Sequence, residues 1–246
     1  WNSSSVSSVT GETAKVSREP FIFIMEKYMT VIVFNGPPSS GKDEAASFLV
    51  AHYGFKALSF KHQLFVETIA YFGVDHDWFM NDYDNRAIKE RPEELLGGRS
   101  RRQALIHVSE DVLKPARGKG VFGEQVAKQL NSVTDYTISD SGFSEELVPI
   151  INTVGAENVC LVQLLRDGCS YNGDSRRYVN GDLVDQFILG KTSELNTNHI
   201  LPEKFDVRTY RVHNNGTLNE FFQAIRAIYA REANAPQRKG VSREPV

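Results

Sequence analysis

Hydrophobic and polar positions in this chain alternate between two rhythms. Short apolar runs of strand length are followed by longer stretches whose apolar residues recur at helical spacing. Residues 31–35 form an apolar run and 43–52 a helix. Residues 55–60 read as a short strand and 61–72 as a helix. The segment 75–100 is polar and aromatic, broken by Pro92 and the Gly97–Gly98 pair. Further helices are expected over 101–113, 123–130, 145–154 and 218–231, and further strands over 136–139, 159–165 and 207–212. Strands alternating with helices predict an α/β fold, a three-layer sandwich whose mostly parallel sheet carries helices on both faces. Ligands in such folds sit at the carboxyl ends of the strands.

The rhythm stops at both ends. Residues 1–24 are rich in Ser and Thr and read as a disordered, vector-derived or over-extended leader, with the folded domain starting near Met25 or Met29 and running to about 231. Residues 232–246 read as a tail. The pentapeptide VSREP stands at 16–20 and again at 241–245, and no physical account explains the repetition.

The 246-residue length suits one large or two small domains. The net charge of −3 argues against bulk electrostatic capture of nucleic acid, while leaving room for a local basic groove. The most hydrophobic stretch, 21–34, is interrupted by Glu26 and Lys27, so neither a membrane span nor a signal peptide is expected. Cys160 and Cys169 are too few for a disulfide framework. Cytoplasmic localisation fits, and a homodimer is left open.

The chemistry is announced by VIVFNGPPSSGKD, residues 31–43. A strand, a Gly-x-x-x-x-Gly-Lys loop and a helix make up the P-loop. Gly36, Pro37, Pro38, Ser39, Ser40 and Gly41 would turn backbone N–H groups toward the phosphates of ATP, with Lys42 reaching the β- and γ-phosphates. Where the usual Ser or Thr magnesium ligand would stand, this chain has Asp43. Asp43 is therefore a candidate metal residue, held through water, or a proton acceptor for an attacking hydroxyl. Asp140, after the strand 136–139, is the candidate second magnesium-shell carboxylate, or an ordinary residue of an SDSG turn.

An acceptor-binding segment is expected over about 60–120. Gln103, His107, Glu110 and Lys114 form a polar stripe opposite Leu105, Val108, Val112 and Leu113. Arg99, Arg101 and Arg102 precede it and KPARGK follows, which puts six cations around one helix. Lys61, Arg99, Arg101, Arg102, His107, Glu110 and Lys114 are the candidate acceptor contacts. Phe60, Trp78, Phe79 and Tyr83 supply core and a stacking surface for a base. Arg166, Arg176 and Arg177, in a polar stretch at about 166–190, fit a mobile lid that gathers transition-state charge. Asn214 and Gly216 lie in a turn expected beside the adenine site, and Thr217 is placed to cap the last helix.

GPPSSGKD, the Arg-led helix near 101, DYTISD, the strand ending in Arg166 and the closing NNGTLNE together resemble the phage-type deoxynucleoside monophosphate kinases, over about residues 29–231. The block RSRRQALIHVSEDVLKP also resembles the 5-hydroxymethyluracil DNA kinases of hypermodified phages. The resemblance implies ATP as donor and Mg2+ as cofactor. Two acceptors follow from it, DNA containing 5-hydroxymethyluracil or a free dNMP. The six cations favour DNA slightly. A rival of another class is a regulatory P-loop ATPase that hydrolyses or only binds ATP.

Overall fold

The computed structural model describes residues 29–179, 181 and 207–234. The leader, both VSREP copies, tail residues 235–246 and lid residues 180 and 182–190 lie outside the described residues.

Five strands form one parallel sheet. In chain order they are β1 (Val31–Asn35), β2 (Lys56–Leu58), β5 (Tyr136–Ser141), β6 (Val159–Leu165) and β7 (Arg208–His213), and they lie in the order β2-β5-β1-β6-β7. The P-loop strand β1 is central, paired with β5 on one side and β6 on the other. All five residues of β1 are buried, as expected of a strand covered on both faces.

The period of two divides those residues between two cores. Val31 and Val33, with Ile138 and Leu161, face one layer of helices: α2 (Phe60–Phe72), α7 (Val121–Ala127) and α8 (Ser144–Val154). Ile32 and Phe34, with Val162 and Val212, face α1 (Lys42–Tyr53) and α9 (Leu218–Ala233). Cys160 belongs to this second core and is fully buried. Thr217 caps α9 as expected, accepting from Glu220 N while Glu220 Oε2 accepts from Thr217 N.

The broken segment 75–100 builds a third, smaller core on the outer side of α2. It contains two short helices, α3 (His76–Met80) and α4 (Arg86–Lys89), and a short hairpin of β3 (Pro92–Glu93) with β4 (Arg99–Ser100). Phe79, Tyr83, Leu96, Ala104 and Leu105 form this core.

The expected helix over 101–113 needs a correction. It is α-helical only as α5 (Arg101–His107), then widens to a π-helical stretch over Val108–Leu113, and resumes as α6 (Lys114–Arg117). Pro115 is the physical reason: it cannot donate to the carbonyl of Asp111, and its ring would press on that carbonyl in an α-turn. The wider turn relieves this, and Lys114 N–H reaches back to Ser109 O. The even polar stripe drawn at α-helical spacing therefore does not persist past His107. Gln103 is taken up by a capping box with Ser100.

Candidate active site

The P-loop joins β1 to α1 at the carboxyl edge of the sheet. Gly36 is required by crowding, because a Cβ there would stand 2.7 Å from Leu164 O. Ser39 is left-handed at φ 63° and Gly41 at φ 101°, and these two turns curl the loop. Lys42 is 7 % exposed, and its ammonium donates to Pro37 O at 2.7 Å. Burial, reinforced by the nearby Arg176 charge, lowers the Lys42 pKa. Two other elements brace the loop. Asn214 Nδ2 donates to Ser40 O at 3.0 Å, and Arg166 Nη1 donates to Ser39 O at 3.1 Å. The turn holding Asn214 and Gly216 thus touches the loop directly. Asn215, which the sequence did not single out, accepts from Asp167 N at 2.8 Å and ties this turn to the residue after Arg166.

Asp43 is exposed, and its Oδ1 accepts from Ser139 Oγ at 2.6 Å. Asp140 lies within β5, not after it, and caps α2. Its carboxylate accepts from Ser59 Oγ at 2.7 Å, Phe60 N at 3.1 Å and Lys61 N at 2.8 Å. Three bonds from a helix N-terminus are a structural commitment that the sequence reading gave only to a turn. A carboxylate has about four lone-pair sites, so one is left for a further partner.

The loop geometry, the buried lysine and the glycine that tolerates no Cβ fit a triphosphate. No cluster of three or more metal-ligating side chains occurs among the described residues. Were Mg2+ bound, Asp43 is the carboxylate next to the loop that would hold it, with phosphate and water completing the shell. Such an ion would draw charge from the transferring phosphoryl group.

Arg176 and Arg177 do not sit on a detached lid. The segment from Tyr171 to Val179 is strapped across the strand ends by Asn35, the last residue of β1. Asn35 is fully buried, and its Nδ2 donates to Ser141 O (3.0 Å), Tyr171 Oη (3.2 Å) and Arg177 O (3.0 Å). Its Oδ1 accepts from Val179 N at 2.8 Å. Gln163 adds a bond from Nε2 to Val179 O at 2.8 Å, and Arg177 N donates to Gly142 O at 3.2 Å. Arg176 turns inward, lies against Gly142, and is gripped by Asp174, the closest contact being 2.6 Å. The hydrogen bond from Arg176 lowers the Asp174 pKa. Arg177 is exposed. The available sequence signal was a polar Asn closing an otherwise apolar strand.

Asn35→Ala is expected to cost about 3 kcal/mol of stability, because it strands buried partners at Ser141 and Val179 and frees the Arg177 carbonyl. Urea unfolding measures this, and an unchanged midpoint would contradict the strap.

The six cations of 99–119 are largely occupied. Arg101 is 3 % exposed, donates through Nη1 to Asn81 O at 2.5 Å, and stacks 4.9 Å from the Trp78 ring centroid. Arg102 meets Glu90 at 3.5 Å, Lys114 meets Glu110 at 2.6 Å and Arg117 meets Glu67 at 2.8 Å. His107 Nδ1 pairs with Asp111 at 2.8 Å. Arg99 is half-buried and Lys119 exposed. Phe60, Phe79 and Tyr83 are core, and Trp78 packs at its edge. Lys61 Nζ lies 4.7 Å from the Phe65 and Tyr83 ring centroids. Burial and the Lys89 charge push the Lys61 pKa down to about 8.

Glu146, on α8, is another residue that the sequence did not single out. It is 5 % exposed with no hydrogen-bond partner among the described residues, and burial, with the Asp140 charge behind it, raises its pKa well above 4.5. The folded protein keeps a proton that the unfolded chain releases above about pH 4.5. Stability should therefore fall as pH rises through that window, by about 1.4 kcal/mol per pH unit at most. Glu146→Gln removes the slope: it should melt higher than wild type at pH 8, the gap closing near pH 4. Parallel pH–stability curves for the two proteins would contradict this.

No family model and no curated protein matches the chain. Among solved structures, a gluconokinase from Sinorhizobium meliloti is similar at 13 % identity, covering 84 % of this chain and 95 % of that one, with a TM-score of 0.41. A putative kinase from Chloroflexus aurantiacus is similar at 14 % identity over 84 % of this chain and 98 % of that one, TM-score 0.38. A shikimate kinase from Acinetobacter baumannii is similar at 12 % identity over 82 % and 92 %, TM-score 0.35. Likeness at this level carries no argument about chemistry. The α/β architecture rests on its own strand order and register. No helix among the described residues is long and apolar enough to cross a membrane.

Proposed function

We propose that this protein is an ATP-dependent kinase that transfers the γ-phosphoryl group to a deoxynucleotide-type acceptor. In the leading version the acceptor is the hydroxymethyl group of 5-hydroxymethyluracil in DNA. Asp43 carries this reading. It is an exposed carboxylate directly after the P-loop lysine, and a serine hydroxyl is its one side-chain hydrogen-bond partner among the described residues. A hydroxymethyl oxygen is neutral and must shed its proton as it attacks, which a positioned carboxylate assists. Two further carboxylates that could serve as base, Asp140 and Glu110, are engaged, the first with the α2 N-terminus and the second with Lys114.

In the transfer, the acceptor oxygen bonds to the γ-phosphorus as the bond from that phosphorus to the β-bridging oxygen breaks. ADP leaves and the proton passes to Asp43. Lys42, Arg166 and Arg176 offset the charge on the phosphoryl oxygens. Arg177 is exposed and joins them only if its side chain turns inward.

A second reading, a free dNMP as acceptor, is favoured by the ion pairs of Arg102, Lys114 and Arg117. Cations engaged in this way form no open stripe for a DNA backbone. A monophosphate acceptor also needs no base.

The test offers ATP and Mg2+ with duplex containing 5-hydroxymethyluracil, the matching thymine duplex, and free dNMPs. The leading reading expects a phosphate ester on the hydroxymethyl duplex alone. Formation of dNDP with both duplexes untouched would replace it with the second reading. Salt gives an independent check: DNA affinity should fall with a log–log slope of about 0.9 per phosphate contact, and mononucleotide affinity far less.

A further inference from the structure

Four elements carry cations close enough to act on one another. Lys61 opens α2, Lys89 closes α4, Arg102 lies in α5 and Arg176 on the strap held by Asn35. Lys61 and Lys89 both place Nζ 4.7 Å from the centroid of the same Tyr83 ring. That ring is 5 % exposed and fixed by an edge contact to Phe65, at 4.9 Å and 88°. Neither lysine has an ion-pair partner among the described residues. Arg102 and Arg176 act on Lys89 with the same sign, and Arg176 also acts on Lys61. Four carboxylates face the group. Asp174 grips Arg176 at 2.6 Å, Glu90 is on Arg102 at 3.5 Å, Asp140 is engaged by the α2 N-terminus, and Asp84 is exposed. With both arginines paired, Lys61 and Lys89 are left facing one aromatic ring, which does not offset their repulsion, whereas an anion between them would.

We infer that Lys61 and Lys89, with the ion-paired Arg102 and Arg176 behind them, form an anion site over Tyr83 and Phe65 that takes the phosphate carried by the acceptor nucleotide. A phosphate offers several acceptor oxygens to ammonium and guanidinium donors at once. The placement suits an acceptor. Lys61 N–H bonds Asp140, and the preceding residue, Ser139, holds Asp43. The acceptor phosphate and the transferring group would then lie on either side of the β5 end, with Arg176 between. Lys89 and Tyr83 gain roles here that the helix 101–113 was expected to supply. The inference rests on the kinase reading for the identity of its ligand. The phosphate has two sources, the monoester of a free nucleotide or a diester within a strand.

Calorimetric titration of the full chain tests it, with the P-loop first saturated by a non-hydrolysable ATP analogue. The probes are the four common dNMPs, the matching nucleosides, and a single-stranded oligodeoxynucleotide. Lys61→Met and Lys89→Met should each weaken a phosphate-bearing probe at least about tenfold, the loss of one charge-assisted hydrogen bond. Nucleosides should be unaffected, and Lys89→Arg should restore most of the affinity. A loss seen with dNMPs assigns the monoester, and one seen only with the oligonucleotide assigns the diester. Equal binding by wild type and both Met variants, or no preference of wild type for phosphate-bearing probes, overturns the site. Failure of the ATP analogue to bind would instead sink the P-loop reading, and the contrast of dNMP with nucleoside would still report on the anion site.

Discussion

Lys42→Ala is expected to lower phosphoryl transfer by about 10³-fold or more while the protein stays folded. The ammonium is nearly buried, rests on Pro37 O, and is the one lysine of the loop. Removing a single preorganised donor aimed at developing charge costs about 10²–10³ in turnover, and Lys42 brings a full charge. The fold should tolerate the change. Burial, and Arg176 after it, already lower the Lys42 pKa, so the folded protein holds this charge against a cost. Lys42→Met keeps the stem and controls for lost packing. Thermal melting close to wild type with transfer lost in both variants is the expected pair of results. Normal transfer by either variant would contradict the role given to the loop.

Asp43→Asn is expected to reduce transfer to a hydroxymethyl acceptor by about 10²–10⁴-fold, the range of a positioned base. The substitution suits the site because an amide oxygen can still accept from Ser139 Oγ, the bond Asp43 makes at 2.6 Å. The bond to Ser139 survives, while the capacity to take a proton and the charge offered to Mg2+ are lost. The kinetic split matters: a base acts in the transition state, so kcat should fall with little change in acceptor KM. A variant that transfers normally would remove Asp43 from this role and favour the free monophosphate, which needs no base.

Much of the fold was legible because its signals are local. The β1 and β6 boundaries follow from apolar runs closed by polar or turn residues, and the division of Val31 and Val33 from Ile32 and Phe34 follows from the strand period alone. The P-loop was legible for the same reason, with loop, lysine and flanking elements contiguous. What was not legible depends on neighbours distant in sequence. Asp140 caps α2 only because β2 lies beside β5, an adjacency that no residue near Asp140 encodes. Arg101 reads as a surface cation until Asn81 O and Trp78, about twenty residues earlier, enclose it. Asn35 straps residues more than a hundred positions away. The π-helical stretch did have a local signal in Lys114-Pro115, which an α-helical wheel drawn through 113 passes over.

Phosphoryl transfer, the central claim, is tested most directly by following the label from ATP radiolabelled at its γ-phosphate. The full chain is incubated with Mg2+ and a mixture of hydroxymethyluracil DNA and dNMPs, and the products are separated. Label covalently attached to an acceptor, lost in Lys42→Ala, is the predicted result. Label found only as inorganic phosphate, at the same rate with and without acceptors, would contradict the kinase and leave an ATPase.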